Sequence, residues 1–555
     1  MAYYHGVRTS EVETSLITPV QTENNLPFIV GTAPIHLGNS KNVNEPVLCY
    51  QYKEFISEFG ESTDYEKYTL NEAAYCEYAL FNQSPAVFVN VLDPERHYNE
   101  IDIVAGGVTN TPVTLNSAVI EDSLEIASSG TSIVTLNGAT DYTLTTDPIT
   151  SDVTVSLIVG ASLPADDLTI NYDSDSTAVS VTISQDEFPF IITAPCENLT
   201  ITAEVPFTNM LNRNTDFTSG FDTDGNYIIT IIDDTQIVDD TIQISYRELD
   251  PEKVTFDDII GGYDSVLGKN TGLECIEDVF PKYGLVPSII IAPKFSANNS
   301  VIAVMKAKTE GVNGVWRAIA ICDIPTEIVK VYSDAVTYKN SNNLVDKNLI
   351  ACWPKVAIDG RQYHMSCQLM GLMQSTAAER GDLPFKSPSN ENLQCDSLVL
   401  ADGSEVLISF SQANYLNSQG IYTGLNFVGG FRGFGNYCTS YPASTDVKDT
   451  FISVRRIFNF VNNELILTYW QKVDDPLNNN LLEAVTDSCN IWLNGLTAAG
   501  ALLAGRIEIH EDENPITDLL SGIIKFHLYI SPPVPCQQLE FVLEYDVTAL
   551  NQLFS

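Results

Sequence analysis

Basic residues are what this sequence has least of for its size: 28 Lys and Arg stand against 72 Asp and Glu, a formal net charge of −44 over 555 residues. A surface so acidic repels phosphate backbones and anionic headgroups, which argues against nucleic-acid and membrane partners. Copies of the chain also repel one another, so a homopolymer needs local Lys/Arg pairing or screening by salt. Long apolar runs are missing too. No stretch of about 18 apolar residues occurs, and the opening MAYYHGVRTSEVETS lacks a basic segment followed by an apolar one. The expectation is synthesis in a cytoplasm, with no membrane span.

The eleven cysteines form no C-x-x-C pair, which points to reduced, mostly buried thiols rather than a zinc knuckle or a disulfide framework. The six histidines (5, 36, 97, 364, 510 and 527) show neither H-x-x-x-H spacing nor a companion cluster of Cys or Asp/Glu, so no metal site is expected. No G-x-S-x-G elbow is present. No catalytic residue and no cofactor is assigned. What is present in ordinary measure is material for a core: 44% hydrophobic and 10% aromatic residues suit several globular domains.

Residues 1–22 hold Tyr3, Tyr4, Val7, Val12, Leu16 and Ile17 among Thr, Ser and Glu and read as an extended arm with little to pack a core. Phe28–Val30 then reads as a buried strand, Tyr52–Phe59 as a helix closed by Gly60, Asn71–Phe81 as a second helix, and Ala86–Leu92 as a strand covered on both faces. The pattern breaks at His97 and resumes at Phe256: helix at Cys275–Phe280, strand at Ser288–Ala292, helix at Val301–Lys308, strand at Ala318–Asp323, helix at Ile324–Tyr332, strand from Leu349. Such alternation predicts an α/β core, 23–98 with 250–401, whose mostly parallel sheet closes across the interruption.

The interrupting stretch, 99–249, is rich in Thr, Ser, Asp, Val and Ile in alternating runs and reads as an inserted all-β domain. It contains a weak repeat. Ser123-Leu124-Glu125-Ile126 resembles Asn198-Leu199-Thr200-Ile201, Thr140-Asp141-Tyr142 resembles Thr215-Asp216-Phe217, and Leu168-x-Ile170-x-Tyr172 resembles Ile242-x-Ile244-x-Tyr246, at offsets of 75, 75 and 74 residues. The constancy predicts two tandem modules of about 75 residues.

Beyond 402 an α+β C-terminal domain is expected to residue 530. A helix from Gln412 stops at Gly420. In the helix Thr450–Leu465, Ile452, Ile457, Phe458 and Phe460 fall on one side, leaving Arg455 and Arg456 partly free, and Leu481–Ala504 reads as a helix pair. The end of the chain offers strand text at Ile507 and Ile509, a second strand from Ile523 to Ile530, and a terminal arm, 531–555. Ser531, Pro532, Pro533 and Pro535 form a stiff spacer, after which Leu539, Phe541, Leu543 and Tyr545 alternate with Glu540, Val542 and Glu544. A strand so placed suits pairing with a sheet edge of its own or of another subunit.

Tempting motifs fail on spacing. In Gly31–Lys41 six residues separate the glycines and Lys41 stands three beyond the second, whereas a phosphate loop needs four and an adjacent Lys. Gly429, Gly430, Gly433 and Gly435 lack the dinucleotide spacing and suit close backbone packing. Asp222-Thr-Asp224-Gly225 resembles the middle of a calcium loop, but Gly220 and Ile231 occupy its outer ligand positions.

In their order, HGVRTSEV (5–12), FIVGTAP (28–34), EFISEFG (54–60), CWPKV (352–356), LPFKSPSN (383–390), NYLNSQGI (414–421), FRGFGNYCT (431–439) and FISVRRIFNF (451–460) resemble the tail sheath proteins of contractile phage tails and of related particles such as R-type bacteriocins. The resemblance spans all but about 99–249. Phe434 and Tyr437 stand where the family usually has Trp and Arg. It implies a structural motor, not an enzyme: a homo-oligomer of hexameric rings stacked helically around a tail tube, with baseplate and terminator partners, contracting from a metastable state to drive the tube through a cell envelope. Located in the virion tail, it would assemble in a host bacterial cytoplasm. It also implies that Val7, Val12, Ile523, Ile524, Phe526, Leu528, Leu539, Phe541, Leu543 and Tyr545 make contacts between subunits; Arg455 and Arg456, in a chain of only 28 basic residues, are candidate interface cations as well, with a solvated helix face as their other reading. A non-contractile virion surface or adhesin-type protein is the alternative that the acidic β-rich insertion alone would suit, and a hydrolase on the α/β core is a further one.

Overall fold

The computed structural model describes residues 25–106, 241–546 and, between them, 113–115, 119–135, 142–146, 153–157, 167–174, 177–184, 190–192, 197–221, 226–233 and 235. Val7 and Val12, the Asp222–Gly225 turn and the last nine positions lie outside them. The chain forms two compact units, Met1–His97 with Pro251–Ser555, and Tyr98–Asp250.

In chain order the strands are β1 (Pro27–Gly31), β2 (Val47–Cys49) and β3 (Ala86–Asn90). The inserted unit follows with β4 (Tyr98–Gly106), β5 (Val113–Leu115), β6 (Val119–Thr135), β7 (Tyr142–Thr146), β8 (Val153–Leu157), β9 (Asp167–Ser174), β10 (Thr177–Ser184), β11 (Phe190–Ile192), β12 (Glu197–Met210), β13 (Phe217–Phe221), β14 (Tyr227–Ile231) and β15 (Thr241–Leu249). The first unit continues with β16 (Gly262–Asp264), β17 (Lys269–Thr271), β18 (Ile289–Ile291), β19 (Ile319–Asp323), β20 (Leu349–Cys352), β21 (Lys355–Ile358), β22 (Arg361–Tyr363), β23 (Ser397–Val399), β24 (Ile421–Phe427), β25 (Gly430–Phe434), β26 (Ala504–Glu508) and β27 (His527–Ser531).

The main sheet of the first unit has the order β2-β3-β1-β18-β19-β20-β24-β25. From β3 to β24 it is parallel, and β2 and β25 run antiparallel at its edges. Its join lies where the sequence text resumes: Pro27 of β1 pairs with Ile289 of β18. Each residue of β1, β3 and β19 is buried, as a parallel sheet covered on both faces requires. Helices Tyr52–Phe59, Asn299–Glu310, Tyr332–Ser341 and Met365–Ala378 flank it. Phe55 holds the first of these to the sheet, 4.8 Å from Phe88 between ring centroids. Gly60 ends that helix at φ +82, where a Cβ would stand 2.4 Å from the Pro34 carbonyl oxygen, so only glycine fits.

Some expectations are corrected. Ile324–Tyr332 is not helical: 324–331 is irregular with a turn at 326–328, and the helix starts where that reading ended, at Tyr332. Ile324, Thr326 and Val329 are buried as an irregular loop, so their spacing reflected packing rather than helical period; Pro325 removes one backbone donor, and the Val329 carbonyl accepts from Trp353 Nε1 at 3.0 Å. Leu481–Ala504 is one helix, Asn479–Ala498, not a pair. The strand expected over Ile523–Ile530 is confined to His527–Ser531, and Ile523, Ile524 and Phe526 precede it without regular structure.

The inserted unit departs from two modules in tandem. Its six-stranded sheet has the order β10-β9-β12-β6-β15-β4, antiparallel throughout, so strands of the first repeat (β4, β6, β9) alternate with strands of the second (β10, β12, β15). The halves are equivalent in register. Ile170 of β9 pairs with Ile201 of β12, and their counterparts Ile244 of β15 and Ile126 of β6 pair likewise. Thr131 pairs with Pro206, its own counterpart one repeat on. The small sheets follow the same rule: β7–β8 takes β11 from the second repeat, and β13–β14 takes β5 from the first. Leu115 and Ile126 accordingly share a core with Phe217, Tyr227 and Ile242. A pseudo-two-fold, strand-exchanged unit results.

Candidate functional site: assembly surfaces

The C-terminal part of the first unit is built on helices Ile452–Tyr469 and Asn479–Ala498, from which Ile457, Phe460, Leu493 and Leu496 pack with Ile507 of β26. β26 pairs antiparallel with β27, from Ala504 opposite Ser531 to Glu508 opposite His527. These two strands make a sheet of their own, so among the described residues each keeps one unpaired edge. Two-stranded ribbons are marginal alone and accept further strands. Phe526, Leu528 and Ile530 lean on the helical core, while Ile523 is exposed.

Residues 532–546 carry no helix or strand. Among the described residues the expected terminal strand therefore has no strand partner, and its apolar side is bare: Leu539 is 76% exposed, Phe541 83%, Leu543 95% and Tyr545 74%. The segment first passes Pro533–Gln538 along a groove of about 750 Å³, whose opposite wall includes Phe385, Asn414 and Asn436. Tyr437 Oη donates to Gln537 Oε1 at 3.1 Å. Tyr437 also stacks on Tyr441 at 3.9 Å and on Phe451 at 4.9 Å.

Arg455 and Arg456 are not partly free. Both are buried, 3% and 5% exposed. Arg455 donates to Asn459 Oδ1 from Nε and Nη2 and pairs with Asp449 at 3.3 Å. Arg456 Nη2 donates to Asn25 Oδ1 at 2.7 Å; burial pulls its guanidinium below the ordinary value without discharging it at neutral pH. The helical period placed the apolar side chains correctly, but the flanking faces are covered as well. Neither arginine is a surface cation.

The charged cluster that sequence reasoning missed lies on β26–β27. Arg506 stacks over Tyr529 at 4.1 Å and pairs with Glu508 at 2.7 Å. His527 pairs with Glu513 at 2.9 Å, and His510 Nε2 lies 3.2 Å from Tyr529 Oη. Arg506 chiefly holds the Glu508 carboxyl below its usual range. Only the register of the two strands brings residues 506, 510, 513, 527 and 529 together, which no single sequence window displays.

The carboxyl ends of parallel strands are where open α/β sheets commonly bind ligands. Here Asp323, at the end of β19, is buried and accepts from Ser366 Oγ at 2.5 Å, while His364 Nδ1 meets Glu72 at 2.8 Å. Burial pushes the Asp323 carboxyl up. Burial opposes a charged His364, but Glu72 outweighs it and raises the imidazole above its ordinary value. The gap among Lys294, Asp323, Thr326, Lys355 and His364 is about 30 Å³, room for a single water. Among the described residues no His/Cys/Asp/Glu group could hold a metal ion, and no helix is long and apolar enough to cross a membrane.

No family model matches the chain. The tail sheath protein of Burkholderia phage BcepMu is 28% identical over 318 residues, 54% of this chain and 64% of that protein, so the match spans less than two thirds of the relative. A prophage protein of Pseudomonas aeruginosa strain UCBPP-PA14, bearing the name of a major tail sheath protein, is 25% identical over 297 residues, 52% of this chain and 72% of that one. Among solved structures, the helical sheath of the anti-feeding prophage in its contracted state aligns over 98% of this chain and 100% of that one, with a TM-score of 0.50 and 11% identity; at that identity the likeness concerns fold alone. The resemblance to tail sheath proteins read from the sequence holds.

Proposed function

We propose that this chain is the structural subunit of a contractile tail sheath, polymerising as stacked hexameric rings around a tail tube between a baseplate and a terminator. It would shorten from a metastable extended state and so drive the tube through a cell envelope. The observation that carries this reading is the 28% identity over 318 residues with the BcepMu tail sheath protein. Contraction of this kind is a repacking of folded subunits between two states separated by a barrier. It needs no bond chemistry, and we assign no catalytic residue, cofactor or metal.

The exposed C-terminal segment and the open edges of β26 and β27 support an exchange of arms. Leu539, Phe541, Leu543 and Tyr545 of one copy add a strand along the open edge of β27 of another, at Leu528, with Ile523, Ile524 and Phe526 just before that edge receiving its apolar side chains, and the stretch around Val7 and Val12 supplies a second arm. Main-chain hydrogen bonds of this type survive rigid-body rotation of the bodies they join. Assembly takes place in the host bacterial cytoplasm, and the finished polymer is the outer layer of the virion tail.

Electron microscopy of the purified chain tests this. Hollow cylinders with six-fold symmetry are expected; persistent monomers at high concentration in moderate salt overturn the reading. Removal of 531–555, or of 1–20, is expected to leave a folded monomer that does not polymerise. Unchanged polymers from either truncation refute the arm exchange.

A further inference from the structure

The six-stranded sheet of the inserted unit ends in two strands, β10 and β4, and among the described residues nothing pairs with the outer edge of either. An exposed strand edge is a template for pairing, and soluble proteins normally blunt it with charge, proline or a bulge. β4 carries such protection, since Glu100 and Asp102 are exposed along it. β10 carries none. Its sequence, TAVSVTIS, has no charged residue, no proline and no glycine, in a chain where 18% of residues are charged.

We propose that β10 of one copy pairs with β4 of the next, so that the inserted units of successive copies form one continuous antiparallel sheet. Three observations select this occupant. The sheet has an even number of strands in strict alternation, so a second copy set beside the first in the same orientation brings its β4 antiparallel to β10. The two edges match in length, eight residues against nine, and they are equivalent within the unit, since β10 lies against β9 as β4 lies against β15. An edge meant for the acidic β4 has to be free of carboxylates, and β10 is. The contact is head-to-tail, the type that closes into rings or continues as a helix. It rests on the sheath reading only in that copies are taken to follow one another about an axis.

The test is an electron cryo-microscopy map of polymers of the full chain and of two double variants on β10. In the parent chain, sheet density is expected to bridge the inserted units of neighbouring copies. Ser180→Asp with Thr182→Asp sets carboxylates against Glu100 and Asp102 and is expected to separate the units while the rings persist. Ser180→Lys with Thr182→Lys is expected to leave them joined. Polymers whose inserted units stand apart in the parent chain overturn this inference and leave the sheath reading intact. Units joined β10 to β10 in isolated pairs also overturn it, and a chain that forms no polymer overturns both.

Discussion

Arg455 clasps Asn459, one helical turn ahead of it, with Nε at 3.0 Å and Nη2 at 2.8 Å from the same amide oxygen. The Asn459 amide nitrogen in turn donates to the Ala318 carbonyl at 3.1 Å, immediately before β19. The guanidinium thus orients the side chain that ties the C-terminal helix to the central sheet. Arg455→Met leaves the buried Asn459 oxygen without its cation and Asp449 with Lys448 alone, and an orphaned buried acceptor costs about 1–3 kcal/mol. Chemical denaturation should show that loss. Arg456→Met should cost less, because, of the acceptors it abandons, Asn25 Oδ1 is partly accessible to water and the Met373 carbonyl, 3.5 Å away, keeps its bond from Thr376 Oγ1, and because discarding a buried cation without a carboxylate partner offsets part of the loss.

Glu77 predicts a pH dependence. Its carboxyl is fully buried with neither oxygen in a hydrogen bond, and burial pushes its pKa from 4.5 to about 8. The folded state therefore holds the proton more tightly than the unfolded state. Below pH 4.5 both forms are protonated and nothing is lost; as pH rises from 4.5 towards about 8 the unfolded chain releases its proton first, and stability falls by about 1.4 kcal/mol per unit. Glu77→Gln removes the titration. Urea melts at pH 5, 6.5 and 8 should show a shallower decline for the variant.

Gly433 predicts a steric failure. A Cβ there would lie 1.8 Å from Tyr422 Oη, whose hydroxyl donates to the Pro388 carbonyl at 3.1 Å. Gly433→Ala should destabilise the β24–β25 hairpin by about 1–3 kcal/mol, and Tyr422→Phe in the same chain should recover part of that. Thermal melting of the single and double variants measures the coupling.

The inserted unit should be removable. Tyr98 and Leu249, at its two ends, are paired directly in β4 and β15, so a short turn in place of 99–249 spans the gap without strain. The shortened chain should keep its helical circular-dichroism signal and unfold cooperatively.

The parallel sheet was legible because its strands are continuous apolar runs, and PFIVG, AVFVN and IAICD admit few other readings. The Ile324–Tyr332 stretch was misread since a loop buried over strand ends shows the same apolar spacing as a helix. The arginines were misread for a related reason: a helix covered on most sides hides polar residues that the period places on a free face. Constant offsets disclosed the repeat in the insertion, but offsets carry no information on which copy a strand pairs with. The histidine cluster on β26–β27 depends on cross-strand register, which the turn-rich stretch between the strands conceals.

The alternation of strands in the inserted unit also means that neither repeat is complete on its own. A single repeat, freed from its sibling, would find no mate for its last strand and none for its first, because each of those mates lies in the other repeat. It could fold only by trading strands with a second identical molecule. Within one chain the unit thus reproduces the pairing of a strand-exchanged homodimer, each repeat completing the sheet of the other.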